Sequence, residues 1–224
     1  MFKNCSSIKQ LIIPSNVKTI NSKSFKGCSS LKELKIPSSV TEIKEFAFAS
    51  CSSIEQFEIP SSVESIGSYA FYDCSSVKQI IISSSLLTEI PEGCFERCSS
   101  LVNINIPDSI KNIESRSFTK CKSLKQINIP SSVESIGNLA FSGCYSLEDV
   151  VITSFIKSIG KGAFWGCPYL DSNEITSKFD DCDPSAFDNC DELISLNLQK
   201  KLIKQQNDEK VIDLNDYVFI EIIT

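Results

Sequence analysis

Nine times in this chain a phenylalanine stands three residues before a cysteine, from Phe2/Cys5 to Phe187/Cys190, and successive pairs lie 23 residues apart with a single 24-residue step. A period near 23 residues is one supersecondary unit, too small to bury its own apolar side, so each unit must be covered by its neighbours. The chain is therefore predicted to be a solenoid. A uniform period crossing nearly all of 224 residues leaves no room for a second fold.

Aligned on the cysteine, the unit reads Phe-x-x-Cys-Ser-Ser-Leu-x-x-Leu-x-Ile-Pro-Ser-Ser-Val-x-x-Ile-Gly-x-x-Ala, with Leu31, Leu34, Ile36, Pro37, Val40, Ile43 and Phe48 as a clear copy. Leu34 and Ile36 alternate with Glu33 and Lys35 as a half-buried strand should, and Pro37, which has no N–H to donate, ends it. The pattern resembles the leucine-rich repeats of the BspA-like (Treponema pallidum) class over about residues 2–198. That resemblance implies a leucine-rich-repeat solenoid, a curved right-handed stack with a parallel concave sheet of about ten strands. Residues 1–198 are expected to hold nine repeats, the first one partial. Residues 199–224 are expected to form a charged loop and a degenerate tenth strand, because Tyr217, Ile220 and Ile222 repeat the spacing of Leu193, Leu196 and Leu198. The extra residue falls within Ser83–Leu87, where the proline of the unit is also lost, to Ser83.

Charge and composition narrow the function. The net charge is −6 and no run of Lys or Arg breaks the repeat, so nucleic acid is not an expected partner. No apolar run is long enough to insert in a membrane, and the start lacks the h-region of a secretory signal. The expected location is cytoplasmic, with the cell surface as the alternative that the family resemblance implies. Eleven cysteines all fit the repeat: nine on the ladder, Cys94 in the small slot before Phe95, and Cys182 in the slot of Ile159. Buried free thiols are expected, since a stacked core needs no staples. Neither end shows a polar cap, so the chain is expected either to associate end to end with another copy or to be a segment of a longer array.

The sequence is poor in catalytic equipment. It has no histidine, hence no Ser-His or Cys-His pair and none of the usual imidazole metal ligands. There is no phosphate-binding Gly-x-x-x-x-Gly-Lys-Ser/Thr loop, and Gly160, Gly162 and Gly166 have the wrong spacing for a dinucleotide site. No Cys-x-x-Cys spacing suggests zinc. Asp180, Asp181 and Asp183 read as a solvated acidic turn before Ser185 rather than a calcium loop. Neither a cofactor, a metal nor an enzymatic activity is expected.

Stacking instead places the outward strand positions in columns that a protein ligand would meet. One column contains Glu33, Gln56, Gln79, Asn103, Gln126 and Asp149; its neighbour contains Lys35, Glu58, Asn105, Asn128 and Glu174; Lys32 stands in a third. The first four strands carry Lys9, Lys32, Lys35 and Lys78 against Glu33, Glu55 and Glu58, whereas the next four carry Lys125 against Glu148, Asp149, Asp171 and Glu174. Such polarity orients an encounter more than it supplies affinity. A second candidate is the turn edge, where Tyr145, Trp165 and Tyr169 replace the usual small residues and are expected to touch; exposed aromatics of this kind anchor binding hot spots. The reading is a non-catalytic protein-interaction module of adhesin-like type, or alternatively an intracellular scaffold or regulatory subunit, with a protein ligand of unknown identity.

Overall fold

The computed structural model describes residues 2–171 and 179–190. Glu174, the last strand of the ninth repeat and the tenth strand lie outside the described residues. Within them the chain is a parallel β-solenoid without helix, and each coil has three hydrogen-bonded sides.

The first side is the expected one. Strands Gln10–Ile12, Glu33–Lys35, Gln56–Ile59, Gln79–Ile82, Asn103–Ile104, Gln126–Ile129 and Asp149–Ile152 occupy the Leu-x-x-Leu-x-Ile segments. They pair in parallel with matching residues opposite, for example Gln56 with Gln79 and Gln79 with Asn103. Burial alternates along them: Phe57 and Ile59 are covered while Gln56 and Glu58 are exposed. The alternation follows from the pleat, which sends successive side chains to opposite faces.

The second side was not anticipated. The Val-x-x-Ile segment forms its own short parallel strand, from Thr19–Ile20 through Glu42–Ile43, Ser65–Ile66, Glu89–Ile90, Asn112–Ile113 and Ser135–Ile136 to Ile156–Ile159 and Phe179–Cys182. This ladder is interrupted only between Ser65–Ile66 and Glu89–Ile90 among the described residues, the coil that carries the extra residue. There the Ser84 hydroxyl donates to the Val63 carbonyl at 2.5 Å and keeps the coils tied, and Leu86 is left half exposed.

The third side, around each Phe-x-x-Cys, has no regular strand yet is as ordered as the other two. Alternate N–H groups point in different directions: those of Lys23, Phe25 and Gly27 donate to Glu45, Ala47 and Ala49 of the next coil, while those of Ser24, Lys26 and Cys28 turn back to Asn21, Lys23 and Phe25. Two residues per coil adopt the left-handed conformation to achieve this, here Lys23 (φ 59°) and Gly27 (φ 74°). Phe46, Tyr69, Arg116 and Leu139 repeat the first position, and Ser50, Asp73, Arg97 and Lys120 the second. Buried backbone groups need partners, and stacking supplies them at the cost of left-handed strain.

The core follows from these walls. The phenylalanines form one column of stacked rings with centroids from 5.0 to 5.8 Å apart, and Phe48, Phe71, Phe95, Phe118, Phe141 and Phe164 are fully buried. The cysteine column lies beside it. Each ladder thiol from Cys28 to Cys190 donates to the phenylalanine carbonyl of the preceding coil at 3.1–3.3 Å. That carbonyl also accepts the N–H of its own cysteine, as Phe25 O does from Cys28. The thiol therefore fills a small apolar site and occupies the carbonyl's second lone pair, a task that alanine or valine cannot perform.

Candidate functional site

The strand wall places Lys32, Glu33, Lys35, Gln56, Glu58, Gln79, Asn103, Gln126, Asn128 and Asp149 with exposed side chains. Register brings Gln56, Gln79 and Asn103 side by side, and sets Gln126 beside Asp149. Asn105 is committed elsewhere. Its Oδ1 accepts the Ile82 N–H at 2.9 Å and its Nδ2 donates to the Ile82 carbonyl at 3.0 Å, completing a ladder where its own strand stops at Ile104. Lys78 and Glu55 are also spent on each other, at 2.8 Å across adjacent coils. The hydrogen bond from Lys78 holds the Glu55 carboxyl below its ordinary value. Ile12 stands almost fully exposed in the wall, and Val151 is exposed as well.

The buried ladder thiols are poor nucleophiles. Burial, with its penalty on the thiolate, pushes Cys51, Cys98 and Cys144 up to about 12. A thiol must ionise to attack, so these groups are structural at neutral pH. Asp183, in the acidic segment, accepts from both the N–H and the hydroxyl of Ser185, at 2.9 and 2.7 Å. This Asx turn is confined to Asp183; Asp180 and Asp181, expected in the same turn, lie in the strand Phe179–Cys182, because that segment continues the second ladder beside Ile156–Ile159.

On the turn edge, Tyr145, Trp165 and Tyr169 are exposed as predicted. No ring contact joins them among the described residues. Lys122 approaches the Tyr145 ring instead, at 5.9 Å. A different aromatic cluster does form, nearer the start of the chain: Phe46 stacks on Tyr69 at 5.1 Å and Tyr69 meets Tyr72 edge-on at 6.1 Å. Lys23 and Lys26 lie over Phe46, and Arg97 over Tyr72. Phe46 and Tyr69 are 23 residues apart in one column, a signal present in the repeat alignment but easily passed over beside the more regular Phe-x-x-Cys column.

Farther along the same edge is an open groove of about 630 Å³, running from Glu92 past Arg116, Asn138, Leu139, Lys161 and Trp165 to Asp188. Its floor is shaped by a missing side chain. At Gly162, left-handed at φ 60°, a Cβ would come within 2.9 Å of a Leu139 methyl and 3.4 Å of the Trp165 Cβ. The equivalent position three coils earlier, Gly93, is covered more tightly: a Cβ there would meet the Tyr69 ring at 2.1 Å.

A family model for the BspA type leucine rich repeat region matches residues 1–125 and 88–219, in six copies. The chain belongs to the BspA-type leucine-rich repeat family. Solved members agree with the fold described above. The T. pallidum leucine-rich repeat protein is 29% identical, with a TM-score of 0.70, 77% of this chain covered and 85% of that one. A leucine-rich repeat protein from Bacteroides ovatus is 28% identical, with a TM-score of 0.60, 79% of this chain covered and 53% of that one. A leucine rich cell surface protein from Faecalibacterium prausnitzii is 26% identical at a TM-score of 0.53, with 84% and 59% covered. This BspA-type chain thus spans about half the length of the Bacteroides ovatus protein. No curated protein matches it. Solenoids of leucine-rich repeats serve in general as protein-interaction modules, using extended faces built from stacked repeats. No helix among the described residues is long and apolar enough to cross a membrane.

Proposed function

We propose that the chain is a non-catalytic interaction module that binds a protein ligand on its strand wall, with the turn edge as a second contact face. The observation that carries this reading is the wall itself: a polar, amide-rich column whose described members are exposed, in register and, among the described residues and apart from Asn105 and the Lys78–Glu55 pair, without a hydrogen bond or ion pair to another side chain. Amides both donate and accept, and columns repeating at about 4.8 Å offer them at strand spacing to a partner. The lysines near its start and Glu148, Asp149 and Asp171 near the other end would orient that partner.

An adhesin-like role at a cell surface is supported by the description of the Faecalibacterium relative as a cell surface protein. A second reading, an intracellular scaffold or regulatory subunit, is supported by the packing of the thiols: Cys51, Cys74, Cys98, Cys121 and Cys144 are buried and each donates to a phenylalanine carbonyl, a role that needs the reduced thiol favoured in a reducing compartment. A pull-down from lysate and from extracellular-matrix proteins separates them. Wild type, Lys32→Glu/Lys35→Glu and Trp165→Ala/Tyr169→Ala are compared. A protein captured by wild type and lost with the lysine pair supports the wall, and its identity decides between surface and interior. Retention by the lysine variant, with loss by the aromatic one, would move the binding face to the turn edge. A partner held equally by all three would refute both faces.

A further inference from the structure

The charge of this chain is divided between its two ends. Residues 1–32 carry six lysines and no carboxylate, whereas residues 171–224 carry thirteen aspartates and glutamates against five lysines, local sums of +6 and −8 on a chain whose net charge is −6. The lysines surround the first coil. Lys3 stands on the turn edge, Lys9 at the head of the strand wall and Lys18 just before the second ladder, all exposed. None of the ion pairs among the described residues takes one of the six; Lys23 and Lys26 lie over the Phe46 ring, and Lys32 acts on Glu55. Between these charged sides a cavity of about 380 Å³ opens among Phe2, Leu11, Ile13, Val17, Ile20 and Phe25. In the next coil Ile36, Val40, Ile43 and Phe48 occupy the same columns and are buried, because the first coil lies over them. At the first coil itself Phe2 is 41% and Ile12 89% exposed, and Gln10–Ile12 and Thr19–Ile20 are edge strands, each paired on one side only among the described residues.

The opposite end supplies the matching charge, with Asp171 and Asp188 exposed. The columns still run in register there: Phe187 stacks on Phe164 at 5.3 Å, and Phe179–Cys182 pairs in parallel with Ile156–Ile159. We infer that the Phe2 end of one copy of this chain docks on the acidic end of a second copy, head to tail. Such a contact keeps the strands of both copies in one direction, sets the six lysines against carboxylates, and covers the apolar cavity and the strand edges beside it. Docking of two basic ends would instead oppose like charges and reverse the strand direction. Because the contact joins two different surfaces, each copy keeps one end open and association continues past two. The inference concerns the ends of the stack and is independent of the binding role proposed above.

Sedimentation velocity of the full chain over a concentration series tests this. At low salt the mass should grow with concentration past that of two copies, and in about 1 M salt, where the Debye length is about 3 Å, association should weaken by about tenfold or more. Lys3→Glu/Lys9→Glu/Lys18→Glu and Asp171→Lys/Asp188→Lys/Asp191→Lys should each associate far more weakly alone. Each variant keeps one unaltered end, so an equal mixture of the two should form a pair and stop there. Circular dichroism establishes that each variant is folded. A wild type that stays monomeric at low salt, growth that stops at a dimer, association of either folded variant alone as strong as that of wild type, or a mixture that forms no pair would each overturn the inference.

Discussion

At the scale of single residues the core is a set of columns, and the chemistry of each column explains its composition. Phe118 is fully buried between Phe95 and Phe141, at 5.5 and 5.1 Å. Phe118→Ala should therefore cost about 3–5 kcal/mol, read as a lower denaturation midpoint in urea, because neighbouring coils held by three ladders cannot collapse into the gap. The left-handed turn positions are a counterexample to the rule that loss of a side chain destabilises. Lys120 is exposed at φ 61°. Lys120→Gly relieves left-handed strain of about 1–2 kcal/mol and gives back about 0.5–1 in backbone entropy, so a small rise in Tm is expected. The columns of Phe, Cys and Leu were legible from the period alone. The left-handed positions were not, because Lys23, Phe46, Tyr69, Arg116 and Leu139 share no side-chain chemistry; what they share is the direction of an N–H.

At the scale of elements, the first ladder was predictable because its alternation extends over several residues. The second was missed because most of its strands contain two residues, too few for a period to show. Asn105 belongs to this scale too. In sequence it is one more polar residue in an outward column; in the structure its amide stands in for backbone against Ile82. Asn105→Ala should cost about 1–3 kcal/mol by leaving that N–H and carbonyl without partners. Asn105→Asp should fare little better, since a carboxylate keeps the bond to the N–H but faces the carbonyl with no donor. Thermal melts of both variants test this; two unchanged Tm values would return Asn105 to the binding wall.

At the scale of the whole molecule the buried thiols couple stability to pH. Cys51, Cys98 and Cys144 ionise near 12 in the fold against an ordinary value near 9, so the unfolded chain gives up its protons first as pH rises. A raised value in the folded state means a contribution fully present below pH 9 and lost progressively between 9 and 12. Several thiols share one stack, so the loss should be steep: urea midpoints should hold from neutral pH to about 9 and then fall sharply. A midpoint still level at pH 11 would mean that the thiol column is not sealed from water. Phe118→Ala, by opening the core beside Cys121, should bring the decline to lower pH.

The sequence by itself determined the period, the identity of the buried columns and the strand that carries the polar wall, because each repeats a local pattern of side chains that burial enforces. Tertiary structure decided which outward groups are available. Asn105, Lys78 and Glu55 are spent on neighbouring coils, whereas Arg116, Asn138, Lys161 and Trp165 come to share one groove. Asn138 and Lys161 share one column of the repeat, but Arg116 and Trp165 stand in two others, so no single column of the alignment unites the four. The left-handed turns and the missing side chain at Gly162 do, through the path they impose on the backbone.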